Sequence, residues 1–167
     1  MRDALPGISE AERLAPEFGF VDAVYMVNKV SQDFLIRPMG IFQLVDYVGL
    51  DICQCILKVM SDRSVGTGLQ NPLLDRLIAA GVRGGQFADG SQKDGFLKYE
   101  KGRPAGIYDP EAKAYVPFTE VGPRCDERLG PLPASGRPWK SVIQAADRAG
   151  TLQGYFRALR TMTTLGA

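Results

Sequence analysis

The 167-residue sequence contains no histidine, and this absence removes several kinds of catalytic and metal site from consideration. Histidine has the ordinary side-chain pKa nearest neutrality and is the commonest general base and metal ligand. The chain can therefore form no Ser-His-Asp or Cys-His catalytic pair and no zinc site that uses histidine. Carboxylate, lysine or thiolate chemistry is still available, so catalysis is less favoured but not excluded.

Cysteine is also scarce, with Cys53, Cys55 and Cys125 as the three examples. Two positions apart on a helix correspond to a rotation of about 200°, so Cys53 and Cys55 would point to opposite faces and could not bind one ion together. We expect the thiols to be reduced, as in a cytoplasmic protein, and to pack as small buried apolar side chains.

The sequence has no excess of charge of either sign and no long apolar run. Its 20 basic and 19 acidic residues give a net charge of +1, too small to attract nucleic acid or an anionic membrane. The apolar stretch at 52–60 is interrupted by Gln54 and Lys58 and is far too short to cross a bilayer. Acidic residues near the N-terminus disfavour a signal or transit peptide. We expect a soluble, cytoplasmic protein with no nucleic-acid or membrane partner.

The spacing of apolar residues predicts a mainly α fold with a small β-hairpin. Residues 1–17 are predicted to form an irregular N-terminal arm, and prolines and glycines predict a linker or a wrapping arm over 120–137. Helices are predicted over 16–34, 41–48, 52–61, 72–80, 140–149 and 152–165, and strands over 95–99, 106–108 and 114–118. Gly49 is expected to end the second helix, Asp51 to cap the third, and Asn71 with Pro72 to begin the fourth.

The glycine-rich segment 81–95 does not have the context of a nucleotide site. A dinucleotide fingerprint requires G-x-G-x-x-G between a strand and a helix, whereas these glycines follow a predicted helix and precede a predicted strand. Basic residues between Arg76 and Arg103 could meet a phosphate-bearing ligand. The acids among them favour a solvated surface of mixed charge. Asp46 and Asp51 could suggest acid–base chemistry, but capping explains Asp51, and Asp46 could bind backbone groups or an arginine.

Residues 37–51, RPMGIFQLVDYVGLD, carry a clear family resemblance. They resemble the P-M-G-P-F-x-L-x-D-x-x-G-L-D signature of the C-terminal domain of 3-hydroxyacyl-CoA dehydrogenases, and residues 84–99 are similar to its G-x-K-x-G-x-G-F-Y-x-Y segment. Ile41 replaces the second proline of the signature, Leu97 replaces a tyrosine, and 86–94 is expanded. The resemblance implies a helical domain of the 6-phosphogluconate-dehydrogenase C-terminal-like type over residues 18–118. Residues 119–167 are then a linker with C-terminal helices, or part of a second copy.

The resemblance further implies a role as one part of an NAD-dependent enzyme. Complete members oxidise L-3-hydroxyacyl-CoA to 3-ketoacyl-CoA in fatty-acid β-oxidation, and an N-terminal domain carries NAD and a His–Glu pair. We therefore expect a fragment that has no catalytic or cofactor-binding residue and is inactive alone. Its expected partners are its own N-terminal NAD-binding domain, an acyl-CoA substrate and a second copy in a homodimer. Asn28 lies too close to Pro38 to match the asparagine that the family places near the oxyanion.

Two residues are predicted to bind substrate, and two alternatives stay open. Pro38 and Met39, between the first two predicted helices, are expected to contact the acyl chain at the cleft wall. The alternative is a plain turn with Met39 in the core. Helices within 42–60 and 73–80 are expected to form the subunit interface. The alternative function is a free-standing helical module for dimerisation or partner binding, without catalytic activity.

Overall fold

The computed structural model describes residues 4–33, 38–63 and 71–130. Within this part the elements are α1 (Ala4–Phe18), α2 (Phe20–Asp33), α3 (Ile41–Val48), α4 (Leu50–Arg63), α5 (Pro72–Ala79), β1 (Leu97–Glu100), β2 (Arg103–Asp109), β3 (Ala114–Pro117) and α6 (Phe118–Leu129). The predicted mainly helical fold is confirmed, and the three predicted strands form one antiparallel sheet in which the first strand joins the hairpin. The helices predicted over 140–149 and 152–165 lie outside the described residues.

The N-terminal segment is a helix, so the prediction of an irregular arm is wrong for residues 4–18. Ala4, Ile8, Ala11 and Leu14 recur on one face of α1 and are buried. Pro16 lies in the last turn of α1 instead of starting the next helix. The break comes at Gly19, whose φ of 87° is a conformation that favours glycine, and α2 begins at Phe20.

The predicted boundaries of the middle helices are largely confirmed. Gly49 ends α3, since its N–H donates to the carbonyl oxygen of Val45 at 2.9 Å. Helix α4 then begins at Leu50 rather than Ile52, so Asp51 lies inside the first turn and not at the cap. Asn71 caps α5 as predicted, because its Oδ1 accepts from the N–H groups of Leu73 and Leu74 at 2.9 and 3.2 Å.

The sheet is an antiparallel meander in the order β1-β2-β3. Leu97 on β1 pairs with Ile107 on β2, and Ile107 also pairs with Val116 on β3. Leu97 and Ile107 are buried and connect the sheet to the helical core. The predicted turn between β2 and β3 is held by Asp109, whose Oδ1 accepts from the N–H of Glu111 at 2.8 Å.

Residues 118–129 form a helix, so the prediction of a linker from 120 is wrong there. Pro123 removes one helical hydrogen bond, but Val121 and Cys125 bury one face of α6. Arg124 also forms a bidentate pair with the buried Asp22 on α2, with Nε···O distances of 2.8 and 3.0 Å. These contacts outweigh the local proline and glycine signals, and α1 and α6 both pack against α2.

The described part of the chain contains no helix that is long and apolar enough to cross a membrane. The proposed division of the chain at residues 18 and 118 stays a prediction.

Candidate functional site

The two residues predicted to bind substrate lie in the segment that joins α2 to α3. Pro38 is exposed and Met39 is half-buried, while the next residue, Gly40, is buried. The structure therefore presents Pro38 and part of Met39 at the surface, directly before the first turn of α3. Their contact with a substrate stays a prediction.

The start of α3 is capped by side chains from α2. Gly40 precedes the helix and has no side chain that could accept from the free N–H groups of the first turn. Instead, Asn28 Oδ1 accepts from the N–H of Phe42 at 3.0 Å and, more weakly, from that of Gln43 at 3.4 Å. Ser31 Oγ accepts from the N–H of Ile41 at 2.8 Å. The capping role of Asn28 and Ser31 is not predicted from the sequence.

Gly40 is required at this joint because of space rather than backbone conformation. Its φ of −67° suits any residue, but a Cβ there would lie 2.2 Å from Asn28 Oδ1. The Gly40 N–H donates to Gln43 Oε1 at 2.8 Å, which fixes the backbone from the other side. The Pro38-Met39-Gly40 segment is therefore anchored firmly against α2, and we call this region the α2–α3 joint.

The Asp46 carboxyl group on α3 is fully buried and binds backbone groups, as one of the two sequence alternatives predicts. Oδ1 accepts from the N–H of Phe96 at 2.7 Å, and Oδ2 accepts from the N–H of Leu97 at 2.8 Å and the Tyr99 hydroxyl at 3.2 Å. The Asp46 carbonyl oxygen also accepts from the N–H of Gly85 at 2.7 Å. A carboxyl group enclosed in this way holds the loop and β1 against α3 and is inaccessible to a substrate.

Three glycines of the segment 84–95 use their N–H groups in hydrogen bonds within the protein. The N–H groups of Gly84, Gly85 and Gly95 donate to carbonyl oxygens of Asp94, Asp46 and Leu97 at 3.1, 2.7 and 3.0 Å. A Cβ at Gly95 would lie 2.2 Å from Asp46 Oδ1. These three donors are already used and are therefore not free to surround a dinucleotide pyrophosphate.

Burial shifts the pKa values of Asp46 and of Tyr99 beside it. Burial raises the pKa of Asp46 from 3.8 to about 8, against the lowering effect of its hydrogen bonds from Leu97, Phe96 and Tyr99. Burial also raises the pKa of Tyr99 above its ordinary value, and the nearby Asp46 charge adds to the rise. The tyrosine therefore stays a neutral hydrogen-bond donor.

The cysteines have no nucleophilic or metal-binding arrangement. Burial raises the pKa of Cys53 and of Cys125 to about 11, so both are neutral thiols near pH 7. Cys55 is exposed on the opposite side of α4, so the expectation of burial holds for two thiols and is wrong for the third. No group of three or more Cys, Asp or Glu residues within 4–33, 38–63 and 71–130 could hold a metal ion.

Exposed apolar side chains are concentrated near α3 and α4. Tyr47, Ile52, Val59 and Phe87 are the large apolar residues exposed in the described part of the chain. Ile52 and Val59 are 53% and 47% exposed and lie two turns apart on one face of α4. Cys53 and Leu57 occupy the buried face instead. The predicted apolar stripe of α4 therefore faces away from the core, and we call it the α4 stripe (Ile52, Ile56, Val59 and Met60).

Gly40→Ala tests the close contact at the α2–α3 joint. We expect the free energy of unfolding to fall by about 1–3 kcal/mol, because the new Cβ collides with Asn28 Oδ1. Asn28→Ala should cost about 1 kcal/mol through loss of the cap. The double variant should cost less than the two single changes added together, since removing the Asn28 side chain makes room for the methyl group. Urea denaturation of the four proteins measures this; additive costs would contradict the contact.

Asp46→Asn tests the buried carboxyl through the pH dependence of stability. The raised pKa means that the folded chain keeps a proton between about pH 4 and pH 8 that the unfolded chain has lost. The free energy of unfolding should therefore fall as pH rises through this window, by at most about 1.4 kcal/mol per pH unit from this group. Asp46→Asn should remove this contribution to the slope, whatever its effect on absolute stability. Denaturation at several pH values measures the slope.

The exposed Asp51 provides the control for this experiment. Asp51→Asn removes a carboxylate from the neighbouring helix without touching the buried cluster, so it should keep the wild-type slope. Equal slopes for the wild type and Asp46→Asn would show that the Asp46 pKa is not raised by folding.

A known protein family matches the region of the chain that contains the α2–α3 joint and Asp46. Residues 19–99 match the family described as 3-hydroxyacyl-CoA dehydrogenase, C-terminal domain, which confirms the resemblance seen in the sequence. The match extends from the start of α2 into β1 and so includes the α2–α3 joint and the Asp46 cluster. No curated protein and no solved structure gives a significant match. Residues 19–99 of this chain are therefore similar to the C-terminal domain of the 3-hydroxyacyl-CoA dehydrogenases, a family of oxidoreductases.

Proposed function

We propose that the chain supplies the C-terminal wall of the substrate cleft in an NAD-dependent 3-hydroxyacyl-CoA dehydrogenase of fatty-acid β-oxidation. The observation that carries the proposal is the family match over residues 19–99. The proposed reaction breaks the C3–H bond of an L-3-hydroxyacyl-CoA and transfers its hydrogen and electron pair to NAD. The hydroxyl proton passes to a base, and the product is the 3-ketoacyl-CoA.

The chemical groups for this reaction have to come from outside the 167 residues. The sequence has no histidine that could serve as the base, and the glycine-rich segment uses its N–H groups internally. The proposed partner is therefore the enzyme's own N-terminal NAD-binding domain, with its His–Glu pair and its cofactor. NAD supplies the hydride acceptor when it is bound there. A cytoplasmic location agrees with the three free thiols.

The α2–α3 joint is the proposed contact with the acyl chain. Pro38 is a rigid apolar ring at the surface, and Met39 has a flexible thioether that adapts to apolar ligands of different shape. The caps from Asn28 and Ser31 hold this segment in place. A wall of this kind excludes water and orients the thioester, while the other domain carries out the proton and hydride transfers.

Reconstitution with a separate N-terminal domain of the family tests the proposal. The chain alone should form no NADH from L-3-hydroxyacyl-CoA, and the N-terminal domain alone should form little. The mixture should restore turnover, because the cleft is formed between domains. Met39→Ala should raise KM for a long acyl chain by several-fold and leave KM for the four-carbon substrate nearly unchanged, as loss of an apolar contact predicts. NADH absorbance measures each rate.

Three outcomes would contradict the proposal. NADH formation by the chain alone would place the catalytic groups within it. Equal KM changes for short and long substrates in Met39→Ala would remove the joint from the acyl-chain wall. No gain in turnover on mixing, although the two domains bind each other, would favour the alternative function, a helical module for dimerisation or partner binding without catalysis.

The α4 stripe supports a second proposal, that two copies of the chain form a homodimer through this face. Ile52, Ile56 and Val59 follow the i, i+4, i+7 spacing of one helix face, and two of them are about half exposed. Such a row of apolar side chains at the surface is typical of a protein contact, since burying it removes apolar area from water. The dimer is compatible with either function.

Ile52→Glu should convert the dimer to a monomer, because it places a charge in the centre of an apolar contact. Lys58→Glu is the control, since this exposed residue of α4 lies outside the stripe and should leave the dimer intact. Light scattering after size-exclusion chromatography gives the mass of each protein. A monomeric wild type would contradict the proposed interface, as would a dimer that tolerates Ile52→Glu.

A further inference from the structure

Helices α1, α2 and α6 leave an apolar groove that the proposed enzyme function does not use. We call it the α1–α2–α6 groove; it is lined by Leu14, Phe18, Met26, Val27, Val30 and Leu129, with Glu10 and Arg128 at its edge. Its volume is about 140 Å³. A cavity of about 150 Å³ holds a benzene molecule, so the groove has room for about one aromatic side chain and little more.

The described part of the chain ends beside this groove. Leu129 is the last residue of α6 and also lines the groove, and residues 131–167 follow it in the sequence. Within them Leu152, Tyr155, Phe156, Leu159 and Met162 recur at helical spacing, which predicts an amphipathic helix. The intervening residues, 131–150, can span up to about 65 Å when extended. The apolar face of this segment can therefore return to the groove on the same molecule.

The charges on the two sides are complementary. Helices α1, α2 and α6 together carry eight acidic side chains (Glu10, Glu12, Glu17, Asp22, Asp33, Glu120, Asp126 and Glu127) against four basic ones (Arg13, Lys29, Arg124 and Arg128). Residues 151–167 carry Arg157 and Arg160 and no acid. The net negative charge of the three helices therefore attracts a basic segment.

We propose that residues 152–162 dock in the α1–α2–α6 groove of their own chain, with Phe156 as the aromatic side chain that fills it. The proposal goes beyond the enzyme function and does not depend on it. The occupant is the chain's own C-terminal segment, because its apolar spacing, its positive charge and the position of residue 130 all agree with the groove. The volume is small for an extended acyl chain, which favours a single protein side chain.

Methyl NMR of the full chain tests the docking, because its five methionines include Met26 in the groove and Met162 in the segment. Phe156→Asp should shift the Met26 methyl signal, since it removes a nearby aromatic ring and the apolar contact. Thr161→Asp is the matched control: it introduces the same charge on the opposite face of the predicted helix and should leave the Met26 signal in place. Unchanged Met39 and Met60 signals in both variants show that the domain is still folded.

Several results would overturn the proposal. A Met26 signal that is unchanged in Phe156→Asp would show that Phe156 does not occupy the groove. A Met26 signal that changes on dilution of the wild type would replace the intramolecular contact with a second copy of the chain. A long-chain acyl-CoA that shifts Met26 equally in the wild type and Phe156→Asp would identify the groove as a lipid site. A shift of Met26 that is confined to Phe156→Asp and independent of concentration supports the proposal.

Discussion

The buried carboxyl group of Asp46 makes the contacts on which the arrangement of α3, the glycine-rich loop and β1 depends. The two side-chain oxygens accept from two backbone N–H groups and one hydroxyl, and the main-chain carbonyl oxygen of Asp46 accepts from the N–H of Gly85. Such a group would be costly to bury without these donors. Gly95 lies so close to the carboxylate that a larger residue would displace it. An acid and a glycine that are far apart in the sequence thus form one structural unit.

At the α2–α3 joint, polar side chains likewise accept from backbone N–H groups, here at the start of α3. A helix start leaves N–H groups without partners, and here the side chains of Asn28 and Ser31 on α2 accept from them. The absence of a side chain at Gly40 allows Asn28 to come this close. Helix α3 is therefore fixed by polar contacts at its start and along its buried face. These contacts hold a short helix and the turn before it firmly against α2 and β1.

The sequence predicts those features that depend on neighbouring residues. The spacing of apolar side chains gives α2 to α5, and Asn71 and Gly49 mark boundaries because they act within one turn. Prediction from the sequence fails where contacts between residues far apart in the chain determine the local structure. Prolines and glycines in α1 and α6 resemble loop signals, yet packing on α2 stabilises both helices, and the ion pair from Arg124 to Asp22 stabilises α6. The cap from Asn28 is not predictable from the sequence either, because the accepting side chain is on α2 and the donating N–H groups are on α3.

The buried polar side chains of the described residues, which include Asp22, Asn28 and Asp46, bind other groups of the protein. Within the described residues, every buried side-chain nitrogen or oxygen has a hydrogen-bond partner in the protein. Buried groups that act on a ligand generally keep some bonding capacity for it, whereas Asp46 uses its capacity on the loop and β1. The α2–α3 joint and the α4 stripe, by contrast, present apolar atoms to solvent. Under the proposed function, such a domain contributes shape and contact area, and the reacting groups come from the proposed N-terminal domain.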